Sequence, residues 1–84
     1  MAEHHLKCHV QYFDAIARGE KNFEVRRNDR DFQLGDVLIL HRYDPRQGYR
    51  FVELRRRVTY VLPGGQFGIE PDYVVLALGD EVPA

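Results

Sequence analysis

Serine is absent from this chain, and threonine and cysteine each occur once, as Thr59 and Cys8. A lone cysteine excludes an internal disulfide framework and suits a reducing compartment, so the cytosol is the expected location. Nowhere do about 18 consecutive apolar residues occur, so no membrane-spanning helix is expected. Met1 to His9 has no apolar run behind a basic stretch, so a secretory leader is not expected either. Pro63-Gly64-Gly65 lacks the strand and helix context of a phosphate loop or dinucleotide fingerprint and reads as a turn. His4, His5 and His9 surround Cys8, but neighbours on a strand face opposite sides and no second cluster has ligand spacing. Cys8 is therefore read as a core thiol beside exposed imidazoles, and neither a metal nor a cofactor is expected.

With 84 residues, 44% apolar and 30% charged, the chain supports one hydrophobic core and stands outside the composition of disorder. A single domain over 1–84 is expected, with its core at 4–78 and an acidic tail at 79–84. Five Phe and five Tyr should supply much of the buried area. The net charge of −1 hides an asymmetry, since residues 1–62 hold all 12 cations and residues 63–84 hold acids only. Ten of those cations are Arg, whose planar fork suits phosphate and can stack on bases. Any basic face must be local, which argues against tight non-specific binding.

Alternation at His4–Val10 predicts a strand with Leu6, Cys8 and Val10 on one face. Tyr12, Phe13, Ile16 and Ala17 then recur at helical spacing over 11–18, and Gly19 stands where a left-handed cap is expected. A second strand over 21–27 places Phe23 and Val25 on one face and Asn22, Glu24 and Arg26 on the other. The polar loop 28–35 follows, in which Asp29 and Asp31 are read as capping groups around Arg30. Val37–Tyr43 is apolar on both faces through Leu40, as for a central strand, and the turn Asp44–Gly48 makes a hairpin with a return strand near 49–62. In that strand Val52, Leu54, Val58, Tyr60 and Leu62 share a face with Arg56, which requires either a bulge near 55–57 or an Arg56 side chain aimed into a cleft. Tyr73–Leu78 is the last strand, with the tail frayed from Gly79. The expected fold is α+β, mainly β: about five strands curled into a small barrel, with one helix after the first strand plugging an end or packing on a side.

Gly19-Glu20-Lys21-Asn22-Phe23-Glu24-Val25-Arg26 resembles the signature of the ASCH family of the PUA-like superfamily, in which a glycine ends the first helix, a lysine follows, and a strand carries a glutamate and an arginine. Tyr12-Phe13-Asp14-Ala15-Ile16, the 28–32 loop, Gly35-Asp36-Val37-Leu38, Val58-Thr59-Tyr60-Val61 and Tyr73-Val74-Val75-Leu76 look like a small subgroup of that family, over roughly 4–78. The resemblance implies a PUA-like pseudo-barrel with a cleft beside the helix that binds RNA or modified nucleosides. One ASCH branch hydrolyses acetylated cytidine with a lysine, a threonine and a later glutamate. Lys21 matches that lysine, but Glu24 stands at the threonine's place, so the hydroxyl nucleophile is missing.

The residues themselves support a binding site in part. Glu24 and Arg26 share a strand face and Lys21 can reach it, which brings together a mobile ammonium, a guanidinium fork and a carboxylate able to accept from a base. The expected site is Lys21, Glu24 and Arg26 with Arg30 and Arg56, and the expected partner is RNA or a nucleotide, bound by a monomer. Glu24 and Arg26 forming only a structural ion pair is the competing reading. Two other functions stay open: a small nucleoside hydrolase with Lys21 and Glu24 as its machinery, Glu24 acting as a base toward water, and a protein-interaction adaptor using Tyr43, Tyr49 and Phe51.

Overall fold

In the computed structural model, which describes residues 1–84, the chain forms β1 (Glu3–His9), α1 (Val10–Ala17), β2 (Phe23–Arg27), β3 (Val37–Asp44), β4 (Gly48–Pro63) and β5 (Tyr73–Glu81). Strand makes up 54% of the chain and helix 10%, so the fold is mainly β with its one helix after the first strand. The strands join in the order β1-β3-β4-β5-β2 and curl into a half-barrel. The β1–β3 pair is parallel, so the chain must cross over between these strands, and α1, β2 and the 28–36 loop make that crossover.

Leu6 and Cys8 on β1, Phe13 and Ile16 on α1, Phe32 of the loop, Leu38 and Leu40 on β3, Val58 on β4, and Val74, Leu76 and Leu78 on β5 form one core cluster. The helix therefore packs on the inner face through one stripe. Val10 opens the helix and does not extend β1 as the alternation suggested, and Tyr12 and Ala17 of the expected stripe stay exposed. Eight helical residues present only about two turns, and Phe13 and Ile16 suffice to anchor them. Gly19, at φ 79°, closes the helix: its N–H donates to the Ile16 carbonyl at 3.0 Å, and the Glu20 N–H to that of Ala15 at 2.9 Å.

The β4–β5 register shifts on both sides of Val58, so the bulge expected near Arg56 is present. It inverts the parity beyond it. Tyr60 therefore faces solvent, and Val61 packs on the core in its place; Val52, before the bulge, is exposed as well. β5 does not fray at Gly79: Glu81 pairs with Arg56, and the Val82 N–H donates to the Arg55 carbonyl at 3.0 Å.

The sheet ends at β1 and β2 are not joined by a backbone ladder. Arginines bridge them instead. Arg26 Nη2 donates to the Lys7 carbonyl at 2.8 Å, and Arg30 Nη1 donates to the His5 carbonyl at 2.7 Å. Both acceptors belong to the free edge of β1, where an unpaired carbonyl would otherwise invite another strand. No helix is long and apolar enough to cross a membrane.

Candidate functional site

β2 turns its charged face inward. Phe23 and Val25 are exposed at 42% and 52%, while Glu24 between them is exposed at 4%. A carboxylate at that depth needs compensation, and the two flanking cations supply it. Lys21 Nζ donates to Glu24 Oε1 at 2.7 Å, and Arg26 Nε donates to Oε2 at 2.8 Å. The second Lys21 bond, to the Phe23 carbonyl at 2.7 Å, fixes the ammonium at the entrance of the strand. The Gly19 cap delivers Lys21 to this place, because it turns the chain from α1 directly into β2.

The three side chains line an open cleft of about 600 Å³ with Lys7, Cys8 and His9 of β1, Tyr12 of α1, and Phe23 and Val25 of β2. Three cations and one carboxylate leave the cleft at +2 with neutral His9, in a chain of net charge −1. The donors are not exhausted: Lys7 Nζ and Arg26 Nη1 make no hydrogen bond within the chain. Lys21 Nζ stands 5.4 Å from the Tyr12 ring centroid and 4.9 Å from that of Phe23, so two partly exposed rings flank the charged floor.

Cys8 lies in the wall of this cleft. Burial, with the Glu24 charge adding to it, pushes its thiol up to about 11. It stays protonated at neutral pH and is a poor nucleophile there. Thr59 is exposed on β4, so the one Ser/Thr hydroxyl of the chain is not among the groups that line the cleft.

Of the residues expected at the site, Lys21, Glu24 and Arg26 converge, and Arg30 and Arg56 do not. Arg30 is drawn to the β1 edge by the His5 carbonyl. Arg56 lies half-buried in a neighbouring hollow of about 410 Å³ beside Gly19, Asp80 and Glu81, which shares only Lys21 with the cleft. Arg56 thus both adjoins a bulge and faces a hollow, though not the hollow of the Lys-Glu-Arg group. Lys7 and Tyr12 were missed. Helical spacing places Tyr12 on the buried stripe, and strand alternation places Lys7 opposite the apolar face of β1; only the crossover that folds β1, α1 and β2 around one space brings them together.

At the hairpin Tyr43 and Tyr49 meet with ring centroids 4.9 Å apart, and Tyr49 and Phe51 are exposed. They lie outside the cleft, apart from the Lys7 Nζ that stands 4.7 Å over the Tyr43 ring.

Comparison with known proteins gives a family and one viral relative. The family model described as "Domain of unknown function (DUF3850)" matches residues 3–78. A 40-residue stretch, 48% of this chain, is 45% identical to the "Uncharacterized 12.9 kDa protein in GpA 3'region" of Escherichia phage P2. That stretch spans 37% of the phage protein's length.

Proposed function

We propose, for a chain that belongs to the DUF3850 family, that the cleft between β1, α1 and β2 binds a nucleotide unit of RNA. The observation that carries this reading is the buried Glu24, gripped by Lys21 and Arg26 at 2.7 and 2.8 Å on the floor of an open cleft rimmed by Tyr12 and Phe23. Each part has a role that nucleotide chemistry requires. The free Lys7 ammonium and the free Nη1 of Arg26 suit a phosphate, each as a charge-assisted donor, while the Nε and Nη2 of Arg26 stay on Glu24 and the Lys7 carbonyl. Tyr12 and Phe23 offer ring faces to a base, a contact worth about 1–3 kcal/mol. Glu24 holds both cations in place and keeps the local charge at +2, so the site selects a small anionic group without attracting every polyanion.

The ASCH resemblance of residues 19–26 favours the same place for the ligand and the same superfamily of half-barrels. Hydrolysis is the weaker reading. Thr59 does not line the cleft and Cys8 is protonated, so no activated nucleophile stands there, and a water-activating Glu24 would have to work while bound to two cations.

The reading is tested by anisotropy of a labelled short RNA across a salt series. Binding through two or three phosphates gives a log–log slope of about −1.4 to −2.1 for a single strand. Lys21→Ala takes one positive charge from the cleft floor and leaves Glu24 one partner short, so it should weaken binding about tenfold, while Lys7→Ala, which removes a free ammonium, should make the slope shallower by about 0.7. Equal affinity of Lys21→Ala and the parent chain would refute the assignment. Because Arg26 also closes the seam, Arg26→Lys accompanies it as the variant that keeps the charge and loses the fork.

A further inference from the structure

β1 has the cleft on one side and a second hollow, of about 420 Å³, on the other, and Lys7 lines both. The second hollow is lined also by His5, His41, Tyr49, Arg50 and Phe51, and no carboxylate is among its residues. A chain of ring contacts joins the two. His9 in the cleft wall meets Tyr43 edge-on at 5.7 Å, Tyr43 tilts against Tyr49 at 4.9 Å, and the Lys7 ammonium stands 4.7 Å over Tyr43. Phe51, which lines the hollow with Tyr49 where the β3–β4 register shifts, is wholly exposed at 105%, with Tyr49 at 57%.

Rings left in water beside Lys7 and Arg50 are a poor surface for solvent alone, and the nearby acids Glu53, across from His41, and Glu3, on β1, are both bonded to Arg55. Such rings and cations match a chain whose every unit carries one π-face and one negative charge. We infer that the ligand is a single-stranded oligonucleotide, with one nucleotide in the cleft and the next running over Lys7 onto Tyr49 and Phe51. This inference rests on the cleft being a nucleotide site and adds the class of ligand: a strand of at least two units, neither a free nucleoside nor a duplex. A duplex is excluded by the geometry of stacking, because paired bases have their faces covered by their neighbours. The positive charge and the shared Lys7 favour nucleic acid over a protein strand on this surface.

Calorimetric titration with uridine monophosphate and with hexauridylate tests the inference. The hexamer is expected to bind at least about tenfold more tightly than the monomer, the gain of one stacked base. A double variant, Tyr49→Ala with Phe51→Ala, should abolish most of that gain and leave the affinity for the monophosphate unchanged. Phe51→Ala alone, at a fully exposed position that cannot disturb the core, should remove part of it. Lys21→Ala should weaken both ligands. Equal affinities for monomer and hexamer, or a double variant that binds the hexamer as well as the parent, would overturn the strand path, leave the cleft reading standing and assign the hairpin to a protein partner. Failure of both ligands to bind would overturn the two readings together.

Discussion

Glu24, at 4% exposure, has one ammonium and one guanidinium held against its two oxygens. Its removal leaves Lys21 and Arg26 facing each other without a counter-charge, relieved only by their own partial exposure. Glu24→Ala should therefore cost about 1–3 kcal/mol in urea unfolding, and Glu24→Gln, which keeps the shape and one acceptor, clearly less. Asp36 is the second buried carboxylate, exposed at 2%. Burial pushes its carboxyl up, but the Ala2 N–H at 3.0 Å, the His4 ring at 2.8 Å and the Gln33 N–H at 2.9 Å outweigh it and hold the group below its ordinary 3.8. A depressed carboxyl contributes stability above its unfolded value and loses it as pH falls through the folded one. Urea midpoints should thus fall as pH drops below about 4, and Asp36→Asn, less stable at neutral pH, should show a flatter acid limb. At this scale the sequence was half legible. The parity of Glu24 and Arg26 was readable from spacing, whereas the places of Arg30 and Arg56 depended on a β1 edge and a β4 bulge whose positions local pattern does not determine.

The elements themselves were largely readable, since period and punctuation agree in α1, β3 and the β3–β4 hairpin. Gly19 and Gly48, both with positive φ, stand where the sequence places a helix cap and a tight turn. The direction in which β2 faces was harder to read. Apolar Phe23 and Val25 suggest a buried face, but the pairing of β2 with β5 alone leaves them outside, and the ion group takes the inner side. Two glycines separate conformational cost from steric cost. At Gly19 a Cβ meets nothing within 4 Å, so Gly19→Ala should cost only the left-handed penalty, about 1–2 kcal/mol. At Gly64 a Cβ would overlap the backbone carbonyl oxygens of Glu70 and Tyr73, which cannot swing aside as a flexible side chain can. Gly64→Ala should lower the thermal midpoint well beyond Gly19→Ala, and a smaller effect at Gly64 would show that the 63–72 loop is loosely held.

Across the whole molecule, a curled sheet with a helix inserted after its first strand sets a cationic cleft at the seam where the sheet does not close. A mainly β curled sheet with one helix was foreseeable from strand count and turn spacing, but these pointed to a closed barrel; the open seam was not foreseeable, because bridging by arginine side chains leaves no trace in strand periodicity. The same seam explains the cleft: Lys7 and Cys8 come from one sheet end, Glu24 and Arg26 from the other, and the space between them is the site. The most direct test is a nitrogen-15 NMR titration of the chain with a short single-stranded RNA. The account predicts saturable shifts at the amides of Lys7, Tyr12, Lys21, Glu24 and Arg26. No shifts, or shifts gathered on the 63–72 loop and the outer face of β5, would contradict it.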